Sequence, residues 1–175
     1  AKPIGVIEDT AIAPYRMKDY MTDFQQMLLN LGLDCVYYGH ISTGELHLRP
    51  ILDIKKKEDR ILFRKIAHQT ALLVKKHRGC LSGEHGDGRL RGEFIPIMYG
   101  DDVYNLMREL KNVCDKDGIL NQGKIVDTFP MDEYLRYDLN ISTGAGNANP
   151  YFELTTLKGY KGQNDDTWGK QGCTY

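Results

Sequence analysis

The sequence predicts an α+β fold, an antiparallel sheet covered by helices on one side. Three observations predict it. Three stretches repeat apolar residues at helical spacing, two strand-like runs flank Ser42-Thr43-Gly44 as a hairpin, and short strand-like runs separate the helices. The chain has 175 residues, one domain's worth with room for a core. No internal repeat is visible.

The elements follow in order. "KPIGVIEDTAIAP" opens with a short apolar run, Ile4 to Ile7, that reads as a strand. Pro14 starts a helix, where its missing N–H costs nothing. Met17, Tyr20, Met21, Phe24, Met27, Leu28 and Leu31 give it one buried face, and Gly32 ends it. Those methionines read better as a core stripe than as a flavin or lipid surface. "LDCVYYGHIS" and "GELHLRPILD" are the hairpin strands. A second helix runs from about Glu58 to His77, with Leu62, Phe63, Ile66, Leu73 and Val74 inward. Acids at its start and Lys75, Lys76 and His77 at its end suit the helix dipole. Cys80 to Ser82 gives one more short strand, and a third helix spans about Asp101 to Lys116, apolar at Val103, Leu106, Met107, Leu110, Val113 and Cys114. Residues 1–137 therefore read as the domain, and 138–175, rich in Gly, Asn and Thr without periodicity, as an irregular tail or linker.

Composition excludes several function classes. Lys+Arg is 23 against Asp+Glu 24, so no basic field argues for nucleic acid. Hydrophobic content of 41% and charged content of 27% are those of a globular chain. No apolar run reaches transmembrane length and no signal pattern opens the chain. Cys35, Cys80, Cys114 and Cys173 are scattered, which fits a reducing cytoplasm better than a disulfide framework.

Two segments carry chemistry. A tight hairpin about Thr43-Gly44 would set His40 directly opposite His47 and Tyr38 opposite Arg49, with Ile41, Leu46 and Leu48 on the other, apolar face. Opposed imidazoles can converge on one cation; equally, they can be a cross-strand aromatic pair. "SGEHGDGR" sets Glu84 and His85 side by side among glycines that allow close backbone approach. Glu84 could add a third metal ligand, or both residues could be solvated in a turn.

"YGHISTGELHLRP", "SGEHGDGRLRGEF" and "DGILNQGKIVD" resemble, in order and spacing, the C-terminal substrate domain of FAD-linked oxidases of the vanillyl-alcohol oxidase type, in particular D-lactate, glycolate and D-2-hydroxyglutarate dehydrogenases. The resemblance covers about Glu8 to Asp127. It implies a ferredoxin-like antiparallel sheet capping a flavin, with a divalent metal, Zn or Mn, on His40, His47 and Glu84. It further implies His85 at the substrate as base for the hydroxyl proton, and Asn121 and Lys124 near FAD. Two departures stand out: Glu45 replaces a substrate-contacting asparagine, and Gln122 replaces a proline. The FAD-binding domain that precedes this region in the family is not in the sequence, so the chain reads as part of a longer enzyme, inactive and colourless alone. Its uncovered face is expected to invite self-association, and the full-length protein to be cytoplasmic or peripheral to a membrane.

The implied chemistry is oxidation of a 2-hydroxy acid to the 2-oxo acid. The substrate's carboxylate and hydroxyl would chelate the metal, and an imidazole, titrating near working pH, would take the proton. Arg49, by register, and Arg89 or Arg91, by adjacency, could pair with substrate carboxylates. A metal-binding interaction domain without redox role, or a metal-dependent hydrolase, would use the same ligands. "NQGKIVD" favours the flavin reading.

Overall fold

The computed structural model describes residues 1–135, and the fold below is that of the unit Ala1–Glu133. The expected tail, 138–175, lies outside the described residues.

Strand β1 (Lys2–Pro3) and β2 (Ile7–Ala11) precede a one-turn 3-10 helix at Pro14–Arg16 and α1 (Met17–Leu31). The hairpin strands β3 (Cys35–His40) and β4 (Glu45–Leu52) come next, followed by α2 (Lys57–Lys76). A short α3 (Ile95–Tyr99) and α4 (Asp101–Cys114) follow the glycine-rich turn. The centre of the sheet is β4. It pairs antiparallel with β3 along one edge and with β2 along the other, and its far end pairs with β1. Beyond β2, an antiparallel bridge from Ala11 to Cys80 adds one more rank, so the order is Cys80, β2, β4, β3.

Alternation along β4 sends Leu46, Leu48 and Leu52 inward, with Leu48 and Leu52 wholly buried. Full burial of such a side chain contributes roughly 1.5–3 kcal/mol. Helix α1 answers with Tyr20, Phe24 and Leu28, one turn apart each, and α2 with Phe63, Ile66, Ala67, Thr70, Ala71 and Val74. The Tyr20 hydroxyl reaches Thr10 Oγ1 at 3.3 Å, and the Phe24 ring meets that of Tyr37 edge-on. Gly32 ends α1 in the left-handed conformation, φ 65°, its N–H returned to the carbonyls of Leu28 and Leu29. No helix among the described residues is long and apolar enough to cross a membrane.

Four expectations need correction. The first strand of the core sheet is Ile7–Ala11, not Ile4–Ile7. Its polar residues Glu8, Asp9 and Thr10 are buried, which apolarity alone does not reveal. The hairpin register is two residues away from the tight-turn register: Tyr38 opposes His47, His40 opposes Glu45, and Val36 opposes Arg49. A four-residue loop, Ile41 to Gly44, closes it, with the N–H groups of Thr43 and Gly44 bonded to His40 O. Because the shift is even, the residues that remain in the strands keep their faces. Ile41, in the loop rather than the strand, is 65% exposed. Ser82 makes no strand, and only Cys80 bridges. Finally, the apolar stripe of α4 is not a core face: no residue of that helix is buried.

Candidate metal centre

The face of β4 turned away from α1 and α2 carries Glu45, His47 and Arg49, and β3 adds Tyr38 and His40 beside them. His47 is 5% and Glu45 7% exposed. The His40 and His47 rings meet edge-on, centroids 5.3 Å apart, and the Tyr38 ring lies 4.9 Å from that of His47.

The third wall comes from β2. Its pairing with β4 slips between Glu8 and Thr10, where Asp9 sits at φ 83°. A bulge of this kind re-aims side chains next to functional sites. Two consecutive acids thereby reach the same side while Thr10 turns to α1. Glu8 takes Arg49 bidentately, Nε to Oε2 at 3.0 Å and Nη2 to Oε1 at 2.6 Å, and accepts the Tyr38 hydroxyl at 3.1 Å. Burial opposes ionisation of Glu8, but the hydrogen bonds of Arg49 and Tyr38 and the nearby charges outweigh it and hold its pKa below the usual range.

Asp9 builds the turn that carries Glu84 and His85. Its carboxylate accepts Ser82 Oγ at 2.6 Å and the N–H groups of Glu84 and His85 at 2.9 Å each, and its carbonyl accepts Gly83 N–H at 2.8 Å. These bonds more than offset the burial that would otherwise raise its pKa, which lies below the usual value. A left-handed aspartate costs on the order of 1–3 kcal/mol, and persists only where surroundings over-determine it. Gly83 sits close to both acids: a Cβ there would stand 3.2 Å from Glu45 Cγ and 3.3 Å from Asp9 Oδ1, so these side chains would have to give by a few tenths of an ångström. Arg91, 8% exposed, staples the turn to β2 by donating to the carbonyls of Gly86 and Glu8.

These elements bring the expected ligands together. Each of His40, Glu45, His47 and Glu84 offers one ligand atom, all within 4.8 Å of one another. His40 Nε2 is 3.8 Å from Glu84 Oε1, and His47 Nε2 is 3.5 Å from Glu45 Oε1. His47 Nδ1 and Glu45 Oε1 are buried without a hydrogen-bond partner. Burying polar atoms unpaired is costly, and a divalent cation is the neighbour that imidazoles and carboxylates both accept. Burial, the hydrogen bond to Asp9 and the charges of Glu84 and Asp9 raise the Glu45 pKa. The residues therefore fit a metal. His85 stacks on His47 at 5.3 Å between centroids, with Nε2 3.6 Å from Glu84 Oε1 and a side chain 28% exposed.

The arginines already have partners within the chain. Arg49 is on the site face but engaged by Glu8, Arg91 is buried in its staple, and Arg89 donates to the carbonyl of Glu133. Asn121 and Lys124 sit on the loop after α4, outside the ligand cluster. Asp115 holds one end of that loop, accepting the N–H groups of Ile119 at 2.8 Å and Leu120 at 3.0 Å and the side chain of Gln122. The other end is tied to the glycine-rich turn by Ile125 N–H on Gly88 O at 2.7 Å. Sequence reasoning missed Glu8 and Asp9. Their only signal was a pair of acids directly after a strand-like run. A cleft of about 400 Å³ lined by Asp23, Gln26, Met27, Asn30, Leu31, Lys65 and Gln69 contains none of the site residues.

Residues 1–125 match the family described as FAD linked oxidases, C-terminal domain. The chain is 40% identical over 124 residues to the D-2-hydroxyglutarate dehydrogenase of Pseudomonas putida, covering 71% of this chain and 12% of that protein. It is 38% identical over 132 residues to the D-2-hydroxyglutarate dehydrogenase of Escherichia coli, covering 75% and 13%. To the D-lactate dehydrogenase of Archaeoglobus fulgidus it is 26% identical over 125 residues, covering 71% and 27%. The match thus spans a small part of each of these relatives.

Proposed function

The chain belongs to the family of FAD-linked oxidase C-terminal domains, and we propose from that premise that it forms the substrate side of a flavoenzyme oxidising a D-2-hydroxy acid to the 2-oxo acid. D-2-hydroxyglutarate, D-lactate and glycolate define the substrate class, through the names of its relatives. FAD would be held mainly by a separate FAD-binding domain, with Asn121 and Lys124 on the flavin side. The order Cys80, β2, β4, β3, antiparallel throughout, supports the ferredoxin-like reading of the cap. Free thiols at Cys35, Cys80 and Cys114 fit the cytoplasmic setting expected from the sequence.

His40, His47 and Glu84 would hold the divalent cation. When bound, the flavin supplies a two-electron acceptor and the cation supplies Lewis acidity. The rest falls to the chain's own residues. His85, packed on His47 and partly open to solvent, takes the hydroxyl proton on its imidazole. Asp9 fixes the backbone of Glu84 and His85, so ligand and base move as one unit. Glu8 and Tyr38 orient Arg49 at the edge of the same face, where a substrate carboxylate would compete with Glu8 for the guanidinium.

The observation that carries the reading is the convergence of four ligand atoms, with the buried Glu45 Oε1 among them left without a hydrogen-bond partner. Calorimetric titration of the full chain with D-2-hydroxyglutarate, D-lactate and glycolate tests it, with and without Zn²⁺ or Mn²⁺. Hydroxy-acid binding that requires the cation is expected. Equal binding without metal, or none with it, would remove the substrate role.

A further inference from the structure

Glu45 is the residue at which this chain departs from the metal-site pattern, and its surroundings say what the departure does. It opens β4, directly opposite His40 and two residues from His47, on the same face as both. Tetrahedral metal–oxygen and metal–nitrogen bonds of about 2.0–2.2 Å set ligand atoms roughly 3.3–3.5 Å apart. The 3.5 Å between Glu45 Oε1 and His47 Nε2 already meets that spacing, while His40 and Glu84 still stand 3.8 Å apart. The side chains of His40 and Glu84 are more than half exposed, free to rotate inward, whereas Glu45 and His47 are fixed by burial.

Resting on the metal-centre reading above, we propose that Glu45 is a fourth protein ligand of the cation, completing a set of two imidazole nitrogens and two carboxylate oxygens. The alternative use of this carboxyl is a buried acid hydrogen-bonded to Asp9 and nothing more. One observation counts against it: Glu45 Oε1 has no partner although its atom is sealed from water. Glu45, Glu84 and Asp9 crowd one point with His85, an arrangement of acids that a cation stabilises. The consequence is a harder donor set than two imidazoles and one carboxylate, tilting preference toward Mn²⁺ relative to Zn²⁺.

The test uses the full chain stripped with chelator and titrated calorimetrically with Zn²⁺ alone and Mn²⁺ alone, as wild type, Glu45→Gln and His47→Ala. Outer-shell changes typically weaken metal binding about 10–100-fold, so a lost ligand should weaken Mn²⁺ binding by at least about 100-fold, and Zn²⁺ binding by less. Co²⁺ loaded into the wild type and Glu45→Gln gives the second readout, because its visible bands report ligand number and geometry. A shift of those bands is expected. Unchanged bands and unchanged affinity in Glu45→Gln, with binding lost in His47→Ala, would overturn the role of Glu45 and leave the centre standing. Wild-type protein that binds no cation, or binds it no better than His47→Ala, would overturn both. Glu45→Asn, which is too short to reach the cation, carries the same expectations if the glutamine variant does not fold.

Discussion

Strand β4 and helix α4 each carry a regular apolar stripe, and the two meet opposite fates. In β4 even the charged positions are drawn in: Glu45, Leu46, His47 and Leu48 are all buried. In α4 nothing is: Val103, Leu106, Leu110 and Val113 are 41%, 62%, 66% and 72% exposed. Apolarity does not explain the difference. β4 has neighbours on both edges and helices over one face, and its polar side chains find ion pairs and hydrogen bonds on the other. α4 packs mainly on the five-residue α3. Burial follows from partners, and the sequence of one element does not list them.

The sharpest way to break this comparison is Leu48→Ala. That side chain is wholly buried, so its loss should cost about 2–5 kcal/mol, read by urea denaturation of the full chain. A cost near zero would mean that the sheet is not the core.

Next in size is Asp9, which tests whether the polar face of the sheet is built as tightly as the apolar one. In Asp9→Ala, the half-buried Ser82 hydroxyl and the Glu84 and His85 N–H groups lose their acceptor, each lost bond costing on the order of 1 kcal/mol where water can replace it and up to about 3 where it cannot. Asp9→Gly loses the same bonds but tolerates φ 83° freely, so it should be the more stable of the two by roughly 0.5–1 kcal/mol. Equal stability would show that the bulge relaxes. Metal binding should weaken in both, since Glu84 loses its backbone anchor.

A smaller effect is expected at the end of α4, and it depends on pH. Hydrogen bonding from Lys111 first, then from the N–H groups of Ile119 and Leu120, outweighs burial and holds the Asp115 pKa below the ordinary aspartate value. A depressed folded pKa contributes stability that is fully present above the unfolded pKa, about 3.9, and is lost as pH falls through the lower folded value. Protection of the Ile119 and Leu120 amides, with the intrinsic pH dependence of exchange divided out, should therefore hold above about pH 4 and fall below it, ahead of the sheet. In Asp115→Asn the step should vanish.

Much of this architecture is legible in the sequence because it rests on local periodicity. The helical spacing of Tyr20, Phe24 and Leu28, the stop at Gly32 and the alternation of β4 all follow from residues close together in the chain. His40, His47 and Glu84 converge as the motifs imply, and the face assignment survives the change of register because that change is even. What the sequence hides is long-range. Arg49 finds Glu8 across 41 positions and Arg91 finds its carbonyl across 83, partners that nothing local in the sequence announces. The bulge at Asp9 has no glycine to announce it, and the apolar stripe of α4 looks in sequence like any buried helix.

The smallest expected effect completes the comparison with β4. Leu110 lies mid-stripe on α4 and is 66% exposed, so it has little apolar area left to lose. Lysine has nearly the helix propensity of leucine, and a cation in the C-terminal half of a helix interacts favourably with its dipole. Leu110→Lys should therefore change unfolding free energy by no more than about 0.5 kcal/mol in either direction, as exposed substitutions usually do. The same type of residue in β4, Leu48, sets the scale at several times that. Urea denaturation of the two variants beside wild type, at one protein concentration, gives both numbers. A Leu110→Lys cost above about 1 kcal/mol would mean that the stripe is covered in solution, and that the contrast between the two elements is one of missing neighbours rather than of design.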